Sequence, residues 1–535
     1  MSRTVSLVRR ALLPMAVLAT SLAIPTAGHA LPIVWSGTVS LPNGYTVPAG
    51  QVVELNPLMS TTVTASKNII VKGTLRMRPA GDGVVHTLRF TGFSESAFVG
   101  GGDVPLASDV GLWVTDAGVL DVAGRARTGW SRASSSLAVG ATSVSLSSTP
   151  VGWRVGDEIL VAPTEKPTVS GFSMHFELRT ITSISGSTIG FGALSYAHPR
   201  VTVRPGVAYG AEIANLTRNV RIEGQDATHR SHVWLKSSVP QTIRNASIRY
   251  MGPQRSGQFV KGRYGLHFHK AGDGSRGSLV ESVVVRQAGS HAFVPHASHG
   301  ITFRDTVAFD ATEAAYWYDP GAAEAPDDTL YERALSGYVR SRPNTTGHRN
   351  TAFSLGQGTG NGCLGCVAFS VQGGKNASGY LWPENEPGVW LFQDSLVHNN
   401  RKDGIFVWQN TSEGHDIDRF VAYHNGDEGI EHGAYTNRYR YADVTLYGNL
   451  TAGVSLHSES RLDPPPTTFA RVYIDGAGIT RNAYQLNRPV AVDMPRVIVC
   501  ETTILGLAPG GSPYFINYVG ADASVTERLE IRSDC

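Results

Sequence analysis

Short runs in which apolar and polar residues alternate cover most of the chain, and glycine-rich turns separate them. Examples are "NIIVKGTLRMRP", "TLRFTGF" and "VGLWVTDAGVLDVAG". A period of two residues is typical of strands, whereas apolar positions at helical spacing are almost absent. The sequence therefore predicts an all-β protein.

The second half of the chain contains a repeat in which a strand, an asparagine, a turn, a glycine and a second strand follow one another. Its members are "SLVHNNRKDGIFVW", "FVAYHNGDEGIEHG" and "TLYGNLTAGVSLH". Asn399, Asn425 and Asn449 are 26 and 24 residues apart. A fixed period of this size, with strands alone, predicts a parallel β-helix in which equivalent asparagines stack their side-chain amides.

These patterns predict five segments along the chain. They are a signal peptide at 1–30, a β-rich domain at 31–165, a β connection at 166–210, the parallel β-helix at 211–457 and a β-rich tail at 458–535.

The first segment has the pattern of a secretory signal peptide. Arginines precede an apolar run, and Gly28 and Ala30 bracket a cleavage site after Ala30. No later segment is long and apolar enough to span a bilayer. We therefore expect an extracellular protein with no membrane span after cleavage.

Charge argues against a nucleic-acid partner. The chain has 46 basic and 44 acidic residues, and the signal peptide contains three arginines and no acids, so the remainder carries 43 − 44 = −1. No basic excess is left to bind phosphates. We expect a monomer.

Four cysteines in an exported chain favour disulfides over a reduced zinc site. Cys363 and Cys366 are close enough in "GCLGCV" to close a small loop, and Cys500 is placed to bond Cys535. We predict two structural disulfides.

The stretch "GRYGLHFHKAGDG" contains the most distinctive chemistry. On a strand, Leu266 and Phe268 face the core, while His267 and His269 share the outer face. The next two coils, "SHAFVPHASHG" and "TEAAYWYDPG", add histidines, aromatics and an acid to the same lateral patch. They are His296, His299, Tyr316, Trp317 and Asp319.

Three interpretations of this patch stay open from spacing alone. His267 and His269 with Asp273 are a possible ligand set for zinc or a similar divalent ion. Asp273 and Asp319 are alternatively a carboxylate pair for acid–base chemistry on a glycosidic bond. A structural ladder of hydrogen-bonded histidines is the third.

Longer motifs resemble a known family. "GAEIANLTRNVRIEG", "YGLHFHKAGD" and "PHASHGITFRDTVAFDAT" are similar to the cell-migration-inducing and transmembrane hyaluronidases, and to fibrocystin-like proteins. The resemblance implies a G-eight domain at 31–165 before a right-handed parallel β-helix. It also implies a hyaluronan-like substrate and calcium dependence, with no organic cofactor.

Residue by residue, the family's first histidine motif is matched at Tyr264, His267, His269 and Asp273, and its second at His296 and His299. The chain departs from the family at the next coil. Ala314 stands where the family tends to have histidine, and Pro320 where it tends to have an acid. Asp319 still supplies a carboxylate there.

The predicted catalytic set is His267, His269, Asp273, His296, His299 and Asp319. The predicted substrate contacts are Arg263, Arg286 and Arg304 for carboxylates, and Tyr264, Tyr316, Trp317, Trp382 and Trp390 for sugar faces. "HNGDEGIEHG", with Asp427 and Glu428, is a candidate calcium site or a plain solvated turn.

The sequence thus indicates a secreted hydrolase of an acidic polysaccharide. Two alternatives remain: a polysaccharide lyase on the same fold, and a non-catalytic glycan-binding or adhesion protein, which the change at Ala314 and Pro320 favours.

Overall fold

The structure, a computed structural model, describes most of the chain after residue 30. The described ranges are 31–168, 174–318, 325–341, 349–373, 375–382, 388–407, 414–433, 437–457, 466–488, 497–518 and 529–535. The predicted signal peptide and Asp319 lie outside them.

Fifty-two strands account for nearly all regular structure in these ranges. The first ten are β1 Ile33–Trp35, β2 Thr38–Leu41, β3 Tyr45–Val47, β4 Val52–Leu55, β5 Thr61–Ala65, β6 Ile69–Val71, β7 Thr74–Met77, β8 His86–Phe90, β9 Leu112–Asp116 and β10 Val119–Ala123. An insertion follows with β11 Trp130–Arg132, β12 Ser143–Ser145, β13 Glu158–Val161, β14 Glu177–Ser185, β15 Thr188–Phe191, β16 Val201–Arg204, β17 Val207–Tyr209 and β18 Glu212–Asn215.

The central part contains β19 Val220–Glu223, β20 Val233–Ser237, β21 Thr242–Arg244, β22 Ala246–Arg249, β23 Gln254–Arg255, β24 Gln258–Phe259, β25 Leu266–Gly272, β26 Leu279–Glu281, β27 Val284–Ala288, β28 Phe293–Ser298, β29 Thr302–Arg304, β30 Val307–Ala311, β31 Leu330–Glu332, β32 Leu335–Val339, β33 Arg349–Ser354, β34 Gly358–Leu364, β35 Val367–Val371 and β36 Lys375–Trp382.

The last part contains β37 Gly388–Gln393, β38 Leu396–His398, β39 Ile405–Val407, β40 His415–Asp418, β41 Val421–Tyr423, β42 Glu428–His432, β43 Tyr439–Ala442, β44 Thr445–Tyr447, β45 Ala452–His457, β46 Thr467–Ala470, β47 Tyr473–Asp475, β48 Asn482–Arg488, β49 Val497–Cys500, β50 Thr503–Leu505, β51 Ser512–Tyr518 and β52 Leu529–Arg532. Two 3₁₀ turns, Glu95–Ala97 and Asp273–Ser275, are the helical elements of the described ranges.

The strands stack into three long parallel faces. The first face is a 15-stranded sheet from β1 to β52, and the second is a 14-stranded sheet from β2 to β50. The third face has six strands from β3 to β28 and seven from β33 to β51, and isolated bridges through Tyr316 join the two groups. Successive coils add strands to the three faces in turn, and the coil of Tyr316 adds isolated bridges to the third face. This stacking confirms the predicted parallel β-helix.

The coils begin much earlier than the sequence suggests. Strands β1 to β10 already pair in parallel with later coils, so the helix starts at Ile33 and not at residue 211, and it continues beyond 457 to β52. The part of 31–210 that differs is the insertion β11–β18, which is antiparallel. Short alternating strands carry the same pattern in parallel and antiparallel sheets, so periodicity alone misplaces the boundary.

The insertion packs on the second face and leaves the third face uncovered by it. Trp130 and Leu160 of the insertion share an apolar cluster with Val284, Val307 and Phe369 of the coils. A second cluster lies within the insertion itself. Burial of these side chains fixes its position on the helix.

Stacked rings form part of the interior between the faces. Phe293, Tyr316, Phe353 and Tyr380 come from successive coils, with ring centroids 4.9, 4.4 and 5.1 Å apart. All four side chains are fully buried. Tyr316 therefore belongs to the core and not to a sugar-binding surface.

A ladder of buried amides follows the corner between the second and third faces. Asn400 Nδ2 donates to Asn425 Oδ1 at 3.0 Å, and Asn425 Nδ2 donates to Asn449 Oδ1 at 2.9 Å. The predicted ladder is correct at Asn425 and Asn449 and shifted by one residue at Asn399. Asn399 turns the chain at φ +51°, and its amide donates to the Glu165 carbonyl of the insertion.

Of the two predicted disulfides, one is present. Cys500 and Cys535 are bonded, whereas Cys363 and Cys366 are free and fully buried. Gly365, at φ +62°, turns the chain between the latter pair so that both thiols enter the apolar core. There the Cys366 thiol contacts the Tyr331 carbonyl at 3.4 Å.

Replacing the central ladder residue tests its contribution to stability. Asn425→Ala leaves the amides of Asn400 and Asn449 buried without this partner, so we expect the free energy of unfolding to fall by about 2 kcal/mol or more. Urea unfolding measures the loss. Asn43→Ala removes an exposed turn amide and serves as the control. Equal urea concentrations at the unfolding midpoints of the two variants would contradict a stabilising role of the ladder.

Candidate functional site

Strands β25 and β28 lie side by side on the third face and bring three histidines together. In their parallel register His269 pairs with His296, and His267 pairs with Val294. As predicted, Leu266 and Phe268 face the core while the two histidines of β25 face outward. The rings are nevertheless covered, because His267 is 0%, His269 6% and His296 3% exposed.

One ring nitrogen from each histidine converges on a common point. His267 Nε2 lies 3.3 Å from His269 Nδ1, and His269 Nδ1 lies 3.1 Å from His296 Nδ1. All three ligand atoms are within 4.8 Å of one another. Tetrahedral zinc with bonds of about 2.0–2.1 Å places its nitrogens about 3.3–3.4 Å apart, so the two short spacings suit a first-row divalent metal.

The opposite ring nitrogens of two of these histidines are held by other groups. His267 Nδ1 donates to the Gly262 carbonyl at 3.0 Å, and His269 Nε2 donates to Asp103 Oδ1 at 2.8 Å. In the neutral tautomers these bonds require, the converging nitrogens of both rings carry lone pairs. A carboxylate or carbonyl behind a histidine is also the usual outer contact of a metal-binding histidine.

Burial keeps the imidazoles neutral. It lowers the pKa of His269 to about 4, against a smaller upward effect of Asp103, and it lowers the pKa of His267 well below its usual value. The hydrogen bond from His269 is the main reason that the pKa of Asp103 falls to about 2. At neutral pH His267 and His269 are therefore neutral imidazoles beside an ionised Asp103 carboxylate.

Aromatic rings surround the cluster. Trp234 of β20 packs on His269 with centroids 4.8 Å apart, and Tyr264 packs on His267 at 4.8 Å. Trp317, half-buried, stacks on His291 at 3.9 Å. These contacts remove water from the ring faces, which explains the depressed pKa values.

A groove of about 590 Å³ lies beside the cluster on the third face, and Asp103 and Trp234 line both. Its cationic lining comes from Lys72, Lys236 and Lys270. Lys236 Nζ is 3.1 Å from Asp103 Oδ2, and Lys72 Nζ is 3.3 Å from the second acid, Asp116. The groove thus combines three ammonium groups with two carboxylates, and Trp234 at its wall is fully buried.

Asp103 is the functional residue that sequence reasoning missed. It is 166 residues before His269, in the irregular segment that precedes β9. Nothing in its surroundings, "GGGDVP", marks it as a ligand or an acid. Only the stacking of β9, β20 and β25 in one face brings it to the histidines.

The predicted role of Asp273 is wrong. Strand β25 ends at Gly272, where φ is +53°, and Asp273 begins a 3₁₀ turn directed away from the cluster. Its side chain is 78% exposed and pairs with Arg276. Among the described residues the histidine cluster comprises His267, His269 and His296, so His296 replaces Asp273 in the predicted metal set.

His299 also lies apart from the cluster. It follows the end of β28, and its Nδ1 accepts from the Asp327 backbone amide at 3.0 Å. The predicted catalytic set therefore divides: three histidines converge, His299 and Asp273 do not, and Asp319 lies outside the described residues.

The three arginines predicted to bind substrate belong to different parts of the fold. Arg263 is fully buried against Asp109 at 2.9 Å. Arg286 is on the second face, where it pairs with Glu158 of the insertion, and Arg304 is on the first face, 2.7 Å from Glu332. One arginine buried in an ion pair and two on different faces cannot meet in one groove.

Most of the predicted sugar-binding aromatics are core residues. Tyr316 and Trp382 are 0% exposed and Trp390 is 2% exposed. Tyr264 is also buried, as part of the layer over His267. Trp317 alone of the predicted set is half-buried, at the edge of that layer.

Fold and site together define a parallel β-helix protein with a histidine cluster beside a lysine-lined groove. Residues 232–353, which include all three clustered histidines, match the family model described as CEMIP beta-helix. The predicted resemblance is confirmed over this part of the chain.

The relatives are similar at modest identity. A G8 domain-containing protein of Dictyostelium discoideum is 31% identical over 186 residues, which is 34% of this chain and 15% of that protein. Human cell surface hyaluronidase CEMIP2 is 24% identical over 317 residues, 48% of this chain and 22% of its own length. The chain thus matches a minor part of each relative.

Among solved structures, the catalytic domain of a GH87 alpha-1,3-glucanase aligns with 77% of this chain and 86% of its own, at 9% identity and a TM-score of 0.37. In the ranges that the structure describes, no helix has the length and apolarity needed to cross a bilayer.

Arg263 provides a test of the corrected roles. Arg263→Gln removes the charge that compensates buried Asp109 and the cation over the Trp113 ring at 4.7 Å. We expect the free energy of unfolding to fall by about 3–5 kcal/mol, measured by urea unfolding. Arg276→Gln, which breaks an exposed pair, should leave the midpoint unchanged. A stable Arg263→Gln protein with weakened glycan binding would instead restore the substrate-binding role.

Proposed function

We propose that this protein is a secreted glycoside hydrolase that cleaves an acidic, hyaluronan-like polysaccharide in the groove of the third face, and that it uses a divalent metal held by His267, His269 and His296. The observation that carries the proposal is the convergence of three buried histidines next to a lysine-lined groove. The family match over 232–353 and the cell surface hyaluronidases among the relatives support the substrate class.

The lysines account for an acidic substrate. Lys236 and Lys270 follow one another on adjacent strands, β20 and β25, and Lys72 extends the cationic line toward the first coils. Ammonium groups spaced along a face suit the repeated carboxylates of a uronic-acid polymer.

The metal would be bound by nitrogen, which favours zinc or a similar ion over calcium. When bound, such an ion supplies Lewis-acid polarisation of an oxygen ligand. The chain's own groups have separate tasks: Gly262 and Asp103 hold two imidazoles in orientation, the aromatic layer keeps water from the rings, and the lysines position the polymer.

Elimination is the second candidate reaction, and the ionised form of the Asp103 carboxyl group favours it. Hydrolysis by a carboxyl pair needs one protonated acid, whereas Asp103 has a pKa of about 2 and Asp116 is paired with Lys72. A lyase instead needs a base and a cation that neutralises the substrate carboxylate, and the lysine ammonium groups of the groove would serve as that cation.

A polymer screen distinguishes these reactions. Purified protein is incubated with glycosaminoglycans and uronic-acid polymers, with and without a chelator. We expect chain shortening with new reducing ends and no new ultraviolet absorbance. Unsaturated, ultraviolet-absorbing ends would indicate a lyase. Glycan binding with no change in polymer size would refute the enzyme and establish a non-catalytic adhesion protein.

Metal analysis tests the histidine site directly. We expect about one zinc per chain, with affinity abolished in His296→Ala and reduced about 10- to 100-fold in Asp103→Asn, because Asp103 orients His269. Elemental analysis after dialysis against a competing chelator gives the values. Asp116→Asn is the matched control, since Asp116 lines the same groove and pairs with Lys72. Equal zinc retention in all variants would place the metal elsewhere.

A further inference from the structure

A second cluster of ionisable groups lies at the corner between the second and third faces, on two successive coils. Asp403 precedes β39, while Asp427 and Glu428 stand at the start of β42 on the next coil. One carboxylate oxygen from each lies within 4.8 Å of the others. The cluster is outside residues 232–353 and shares no residue with the histidine site.

Two of these carboxylates are buried. Asp403 is 0% and Glu428 8% exposed. Among the described residues Asp403 Oδ2 has no hydrogen-bond donor, and Oδ1 receives a long contact of 3.4 Å from the Glu428 backbone amide. A buried carboxylate with an unpartnered oxygen is strongly unfavourable unless a cation or proton compensates it.

Of the three carboxyl groups in the cluster, one has a basic partner among the described residues. Lys402 Nζ is 2.5 Å from Asp427 Oδ2 and neutralises one of the three carboxylates. Among the described residues no ion pair compensates Asp403 or Glu428, whose carboxyl groups are buried next to each other. Like charges at this separation repel strongly where water is excluded.

We propose that Asp403, Asp427 and Glu428 bind a hard divalent cation of the calcium type, which crosslinks two coils at this corner. Oxygen ligands without nitrogen or sulfur select calcium over zinc. The ion has a structural task, because its ligands come from two successive coils and none of them lines the groove of the third face. The alternative is a proton shared between Asp403 and Glu428.

Calcium-dependent stability tests this proposal independently of any activity. Protein stripped with a chelator is titrated with calcium, magnesium or zinc while thermal unfolding is recorded. We expect a saturable rise in unfolding temperature with calcium, a weaker one with magnesium, and at least a tenfold loss of calcium affinity in Asp403→Asn and in Glu428→Gln. Asp416→Asn, which changes an exposed carboxylate paired with Arg438, should keep the wild-type response.

Two further measurements make the result decisive. His296→Ala should retain the calcium response, so loss of the histidine site and loss of this site are distinguishable. If Asp403→Asn or Glu428→Gln is too unstable for thermal unfolding to be followed, tryptophan-sensitised terbium luminescence measures ion binding instead. A wild-type protein with no calcium response, or an Asp403→Asn protein with an unchanged one, would overturn the proposal in favour of the shared proton.

Discussion

Parallel register between coils is the constraint on which the whole structure depends. The main chain of each coil forms its long-range hydrogen bonds with the coils before and after it, so a side chain meets the residue one coil away at the same position. His269 meets His296 for this reason, and Asn400 meets Asn425. Short, unremarkable strands thereby acquire partners that are distant in sequence but fixed in space.

The sequence predicted correctly those elements that depend on the two-residue alternation within a strand and on the repeat from coil to coil. The strands, the coil repeat and the outward direction of His267 and His269 all follow from alternation within one strand. The buried asparagine ladder was found for the same reason, with an error of one residue at Asn399, where the chain turns a corner. The sequence also predicted the disulfide between Cys500 and Cys535 correctly, because these two cysteines flank the last described coil.

What the sequence could not supply is which face each strand joins and where it ends. Arg263, Arg286 and Arg304 look equivalent in sequence, yet they are directed into a buried pair, the second face and the first face. Asp273 looked like a ligand until the turn after Gly272 directed it into solvent. Asp103 contacts His269 through tertiary stacking alone, and no local signal encodes such a contact. Burial of the histidines likewise depends on Trp234, which comes from the preceding coil.

The bond between Cys500 and Cys535 has a consequence for the register of the two strands it joins. Strand β52 pairs in parallel with β49, and Cys500 lies opposite Arg532, the last residue of β52. The disulfide ties the residues after β52 to the end of β49, so β52 cannot slide along its neighbour. In a reducing environment the backbone hydrogen bonds of this short strand and the packing of its partly buried side chains are left to hold the register. The redox state of the surroundings therefore sets how firmly the last described strand of the first face stays in place.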